Sequence, residues 1–269
     1  VFSNSYIFFK QSYNKIRMIK RKEEIMKNIK LHIPPHIYNS INGKDGVSVI
    51  CCTNKKNNLN NIFNNFSSQT HYEKELIIIL NYDNPNIDVW KEKFFSYENV
   101  QIYTLDSKHS LGKCLNYAVY KSKYPIIAKF DDDDYYSPNY LEDMIKAFYF
   151  TNAKVIGKAT TYVYFAKEKI LAIRNINRDN RYTSRVEGPT LVFKKEVFEK
   201  VQFRDKTLGE DIAFCNDCIN SGYTIFSTNK DNFVYIRNDE NTHTWKINNN
   251  IFLKGCMKVC ETNDFRNHI

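Results

Sequence analysis

The sequence predicts an α/β domain built on a mostly parallel sheet. Two observations carry this: short apolar β-branched runs alternate with amphipathic segments along residues 47–130, and one run, Glu75–Leu80, is apolar without a break. Alternation implies crossover connections, and an unbroken apolar strand implies burial on both faces. A third observation locates chemistry: four consecutive carboxylates, Asp131–Asp134, follow directly on a predicted strand. Ligands of such sheets bind at the carboxyl ends of the strands.

Taken in order, residues 10–30 read as a basic helix with Ile16, Ile19, Ile25 and Ile29 as a partial apolar stripe, stopped by Pro34-Pro35. Residues 36–46 form a linker ending in the turn-rich Asn42-Gly43-Lys44-Asp45-Gly46. Val47–Cys52 is the first strand, and Asn57–Ser67 a helix with Leu59, Ile62, Phe63 and Phe66 on one face. Glu75–Leu80 is the second strand, Asp88–Phe95 a helix and Val100–Tyr103 the third strand. Leu111–Lys121 is a helix, Pro125–Phe130 the fourth strand and Pro138–Phe150 another helix. Beyond 150 the order is less regular. Strands are expected at 154–157, 160–165, 188–193, 224–227 and 233–237, a helix at 211–220, and loops at 166–187 and 238–250. The break near 150 separates two halves of one domain, 47–150 and 151–269, rather than two domains.

The chain has 269 residues, with 39 Lys and Arg against 30 Asp and Glu. This is long enough to bury a sizeable core. The net charge of +9 invites a polyanion-binding reading. Its distribution argues otherwise: residues 1–46 hold nine basic and three acidic side chains, so most of the excess lies outside the α/β body. That lead-in is expected to act as a linker helix, a packing helix for a preceding domain, or a contact to an anionic membrane face. The chain begins at Val1 rather than Met, as a piece of a longer protein would. There is no apolar run of about 18 residues and no secretory signal pattern, so neither a membrane span nor export is expected. Seven Cys, an odd number, argue for a reducing, cytoplasmic setting, with at most a peripheral position at the inner membrane face. Cys215-x2-Cys218 and Cys256-x3-Cys260 have a zinc-like spacing, but the first pair lies in a predicted helix with no turn between its members. Small buried apolar cysteines are the plainer reading.

Four adjacent carboxylates repel one another unless a cation neutralises them. Oxygen donors of this kind suit Mg²⁺ or Mn²⁺, which keep positions open for substrate phosphates. The plainer alternative is an exposed acidic turn capping the next helix. Thr207-Leu208-Gly209-Glu210-Asp211 places two acids at a helix start. They either complement the helix dipole or supply a general base. In Asn241-Thr242-His243-Thr244-Trp245, His243 is a candidate metal ligand and Trp245 a flat platform for a sugar or base. Gly112-Lys113 opens a helix, which favours phosphate weakly. No G-x-G-x-x-G and no P-loop is present, so dinucleotide and P-loop readings lack their fingerprints.

Together these residues resemble a family: Val47–Asn54, Gln69-Thr70, Glu75–Asn81, Gly112-x3-Asn116, Asp131–Asp134 with Pro138, and Gly209-Glu210-Asp211 look like a family 2 glycosyltransferase of the GT-A fold over about 47–255. The His-Thr-Trp is similar to a bacterial subgroup found beside spore-coat or surface polysaccharide genes. The resemblance implies inverting, metal-dependent transfer from a nucleotide-diphosphate sugar, with UDP as the expected nucleotide, to a carbohydrate or other hydroxyl acceptor. It implies Thr53, Asn54, Asn81, Asp83, Lys113, Asn116, Asp131 and Asp132 on the nucleotide-sugar. It implies Asp131, Asp133 and His243 on Mn²⁺ or Mg²⁺, Asp211 as base with Glu210 orienting the acceptor, and Gly188 and Trp245 on the acceptor side. Asn81 stands where the family usually has Asp, and Cys52 where Pro is common. A sugar-phosphate nucleotidyltransferase, an inactive carbohydrate-binding module and a nucleic-acid binder are the rivals. The first lacks its Gly-rich loop, and in the last, four Asp at the ligand edge would repel phosphate in the absence of metal.

Overall fold

The computed structural model describes residues 45–238 and 244–269, all within a compact unit spanning Gly43–Ile269. The predicted basic helix at 10–30, the linker up to Lys44, and His243 lie outside the described residues.

β1 (Val47–Thr53), α1 (Leu59–Ser67), β2 (Lys74–Leu80), α2 (Ile87–Lys93), β3 (Val100–Thr104), α3 (Leu111–Lys121) and β4 (Ile126–Phe130) follow one another as the sequence rhythm predicts. β5 (Tyr135–Tyr136), α4 (Tyr140–Phe150), β6 (Val155–Gly157), β7 (Thr161–Phe165), β8 (Ile170–Arg174), β9 (Arg181–Thr183) and β10 (Val192–Lys194) come next. α5 (Glu210–Asn220), β11 (Ile225–Ser227), β12 (Phe233–Arg237), α6 (Asn249–Lys254) and β13 (Cys256–Glu261) complete the described chain.

One sheet runs β3-β2-β1-β4-β10-β6-β11-β9, parallel over its first four strands, with β10 antiparallel to both neighbours. A second runs β13-β8-β7-β12-β5. Side chains alternate across the first sheet, so each strand serves two cores. Val49, Cys51, Ile78, Ala128 and Phe130 pack with Ile62 and Phe66 of α1, Trp90 of α2 and Leu141 and Met144 of α4. Ile50, Ile77, Ile79 and Ile127 pack with Leu115 and Val119 of α3 and Phe214 and Cys215 of α5. The result is a helix–sheet–helix sandwich. Because β1 is flanked by β2 on one side and β4 on the other, the strand order reverses between β1 and β4, the usual position of a ligand crevice.

Several expected segments differ. The expected strand at 188–193 is a 3-10 turn at Gly188–Thr190 followed by β10. Pro189 has no amide proton for a ladder, and the Thr190 amide instead donates to Glu187 O at 2.9 Å. The expected loop at 166–187 contains β8 and β9, and the one at 238–250 runs into α6. Cys215 and Cys218 sit buried on α5, and Cys256 and Cys260 are half-buried on β13. Among the described residues no group of three or more His, Cys, Asp or Glu is placed to hold an ion by itself, and no helix is long and apolar enough to cross a membrane.

Candidate active site

A cavity of about 460 Å³ opens at the carboxyl ends of β1, β2 and β4. Thr53, Asn54 and Lys55 enter from β1, Asn81 from β2, and Asp131, Asp132 and Asp133 from β4. The Gly188-Pro189 turn, Glu210 and Asp211 of α5, and Arg174, Glu187, Tyr235 and Trp245 complete the lining named here.

The acid turn is held from several directions. Thr53 Oγ1 donates to Asp132 Oδ2 at 2.5 Å, and Lys55 Nζ lies 2.6 Å from Asp133 Oδ2 and 3.5 Å from Asp132 Oδ1. Asn61 Nδ2 donates to the carbonyls of Asp132 and Asp134, and Asn65 Nδ2 also to Asp134 O. The buried Tyr136 hydroxyl accepts from the Asp131 amide (2.8 Å) and donates to Pro189 O (2.8 Å), tying the acid turn to the Gly188 turn. Its ring stacks on Phe130 at 3.8 Å. Asp134 is structural: it is buried, its Oδ1 accepts from the Ile236 amide at 3.0 Å, and it does not line the cavity.

Electrostatics follow from burial. Asp132 is pushed up to about 6, chiefly by burial and then by Asp133, against the pull of Lys55 and the Thr53 hydroxyl. Glu210 is pushed up to about 7 by burial, with Lys129 opposing and Asp211 adding. Strand parity explains Lys129. It shares a face with Ile127, the side covered by α5, and so brings an ammonium beneath the site. Lys129 Nζ pairs with Asp131. Burial pulls this lysine down, but Asp131 and then Glu210 and Asp211 more than offset it and hold it charged.

On the other wall, Gly209 at φ +71 caps α5 in the left-handed region that glycine tolerates, which starts the helix at Glu210-Asp211. Gly188 meets Asp211 so closely that an added Cβ would lie 2.7 Å from Asp211 Oδ2. Glu187 accepts from Arg174 (3.0 Å) and Asn175 (3.0 Å). The Arg174 guanidinium lies 5.2 Å from the Trp245 ring centroid.

Of the residues singled out from the sequence, the structure gathers Thr53, Asn54, Asn81, Asp131, Asp132, Asp133, Gly188, Glu210, Asp211 and Trp245 around this cavity. It does not bring Asp83, Lys113 or Asn116 there. The Asp83 carboxylate accepts from Ser107 on the exposed surface at 2.6 Å. The start of α3 is filled by protein: the Leu111, Gly112 and Lys113 amides donate to Thr207 Oγ1, Lys206 O and Ser110 Oγ, leaving them no role as a phosphate cradle. Both ends of the Asn116 amide are spent on the Phe203 backbone. Lys55, Lys129, Tyr136 and Glu187 escaped the sequence reading. A lysine interrupting the apolar run Ile126–Phe130 was the one available signal among them.

Fold and cavity together define the GT-A class of α/β proteins. Residues 48–204 match the model of "Glycosyl transferase family 2", and the chain belongs to that family. It is 32% identical over 164 residues to the O-antigen biosynthesis glycosyltransferase WbnJ of Escherichia coli, covering 58% of this chain and 64% of that protein. In fold it is similar to S. aureus TarS 1–349, with a TM-score of 0.57 and 15% identity over 71% of this chain and 60% of that one. It is also similar to the mannosyltransferase PcManGT from Pyrobaculum calidifontis, solved with GDP-Man and Mn²⁺ (TM-score 0.58, 15% identity, 73% and 58% covered). The chain thus spans less than two thirds of the length of these relatives.

Proposed function

We propose that this chain transfers a sugar from a nucleotide-diphosphate sugar, with UDP as the expected nucleotide, to an acceptor hydroxyl, with inversion and with dependence on a divalent metal. The observation that carries the reading is that Asp131–Asp133 and Asp211, from separate elements, line one cavity. Family membership and the names of the relatives support it, and WbnJ's role in O-antigen biosynthesis suggests a carbohydrate acceptor.

The donor set fits a hard divalent ion. Asp131 and Asp133 offer carboxylate oxygens to an open cavity, each already paired with a lysine. Two chain carboxylates leave coordination positions for water and a diphosphate, as Mg²⁺ and Mn²⁺ prefer. Held by Asp131 and Asp133, such an ion would supply positive charge against which a diphosphate could leave. Thr53, Asn54, Asn81 and Asp132 bind the nucleoside end, and His243 is a further candidate ligand. Asp211 accepts the proton of the acceptor hydroxyl as that oxygen attacks the anomeric carbon; one base suffices for inversion. Glu210 orients the acceptor, and Trp245 and Gly188 form its platform. The charge of the basic lead-in before residue 45 suits a contact to a preceding domain or to the cytoplasmic membrane face.

A panel of UDP- and GDP-sugars, screened for metal-dependent hydrolysis and transfer, tests the reading. Asp211→Asn should abolish transfer while donor binding persists; equal loss of binding would remove the base assignment. Asp133→Ala should abolish EDTA-sensitive nucleotide binding, and unchanged affinity would contradict the metal assignment.

A further inference from the structure

Lys55 holds a position that the transfer reading does not account for. Its ammonium lies between two carboxylates of the acid turn, 2.6 Å from Asp133 and 3.5 Å from Asp132. Its backbone is fixed by the same Thr53 hydroxyl that binds Asp132, because the Lys55 amide donates to Thr53 Oγ1 at 3.0 Å. Both lysines line the cavity, but the Lys55 side chain is about a quarter exposed, whereas Lys129, on Asp131, is almost wholly enclosed. One lysine is therefore free to withdraw and the other is built in.

A divalent ion on a carboxylate sits about 2.0–2.2 Å from its oxygen. An ammonium at hydrogen-bond distance from the same carboxylate would then face a like charge a few Å away. Metal and Lys55 therefore compete for Asp133, and of the two lysines only Lys55 is placed to move aside. A lysine stem of four carbons is long and flexible enough to withdraw. The anion arriving with the metal is a diphosphate, for which a lysine is a suitable point-charge partner.

Building on the proposed transfer reaction, we propose that Lys55 is a stand-in cation: it neutralises Asp132 and Asp133 while the site is empty, yields Asp133 to the metal, and passes to the donor's diphosphate. Metal and nucleotide then bind as a unit, because each relieves the cost of the other's entry. Nucleotide-free protein resists loading with metal alone.

The test is Mn²⁺ titration, by calorimetry and by loss of the free-ion paramagnetic resonance signal, with and without UDP or GDP. The proteins are the unaltered chain, Lys55→Met, Lys55→Gln and Lys56→Met. Lys56 does not line the cavity. Wild type should bind Mn²⁺ alone weakly, and nucleotide should tighten that binding by at least about tenfold. Both Lys55 variants should bind Mn²⁺ alone about tenfold more tightly than wild type, with the tightening by nucleotide largely lost. Lys56→Met should match wild type. Unchanged or weaker binding of Mn²⁺ alone in both Lys55 variants overturns the proposal. Failure of wild type to bind either nucleotide with Mn²⁺ would instead count against the transfer reading, and tighter Mn²⁺ binding in the variants would still stand.

Discussion

Gly188 and Asp211 form the tightest steric coupling in the site. An alanine Cβ at 188 would lie 2.7 Å from Asp211 Oδ2 and 3.0 Å from its Cβ, so the carboxylate must move. Displacing a reacting group by about 1 Å can cost about 100-fold in rate. On the proposed mechanism, Gly188→Ala should therefore lower turnover by about that factor while nucleotide affinity, which that mechanism assigns to the β1 and β4 ends, stays within about twofold of wild type. Full turnover in this variant would show that Asp211 does not receive the acceptor's proton. Glu210 gives a second residue-scale test. Its folded value of about 7 lies above the ordinary 4.5 because burial penalises the charged form. The folded state thus holds this proton more tightly. The associated stability is complete below about pH 4.5 and is lost as pH rises through 7. Urea denaturation at pH 5 and pH 8 should show Glu210→Gln gaining about 3 kcal/mol on wild type between the two. A constant difference would mean that Glu210 titrates normally. At this scale the sequence displayed its acids well, since carboxylate clusters are visible as letters. It hid their partners: Lys129 matters through strand parity and Lys55 through the approach of β1 to β4, and both are properties of pairing.

Among the elements, α1 is the one that shapes the acid turn. Its inner face carries Ile62 and Phe66 into the core, while Asn61 and Asn65 reach the backbone of Asp132, Asp134 and Tyr136. Asn65→Ala would leave the buried Tyr136 amide without its acceptor and remove one of two donors from Asp134 O. An unsatisfied buried donor costs about 1–3 kcal/mol, so a loss of that size is expected in chemical denaturation. Metal-dependent nucleotide binding should weaken with it, because the same turn carries Asp131 and Asp133. The first five helices and the first four strands were legible because their apolar residues recur at helix or strand spacing between clear breaks. β8 was not, because Lys167-Glu168-Lys169 leads into it as a charged turn, with Lys169 at φ +55, and reads as a surface loop. β13 was hidden by its cysteines, whose spacing drew attention as ligands although they lie on an edge strand. The Gly188 turn resembles a strand in sequence because apolar Leu191, Val192 and Phe193 follow it, and Pro189 is the residue that argues against one.

For the whole molecule, ligand linkage offers a global readout. A metal–nucleotide pair that binds only the folded state at 100 times its Kd adds about 2.7 kcal/mol. For a body of this size that corresponds to a rise of about 5–10 °C in Tm. UDP or GDP with Mn²⁺ should produce such a shift, EDTA should reverse it, and Asp133→Ala should abolish it. The general architecture was readable because alternation of period 2 with period 3.6 constrains topology strongly. The strand order beyond β4 was not, since β10 pairs antiparallel with both β4 and β6 and nothing local announces that pairing. That placement has a consequence for how the protein is made. When β4 leaves the ribosome, the neighbour that will cover its free edge is still some sixty residues away in the chain. At ordinary elongation rates the gap lasts roughly 3–12 s. Throughout it, a nascent apolar strand edge stands open beside the acid turn. Early association with a holdase, or self-association of chains truncated before residue 192, is the hazard built into this strand order.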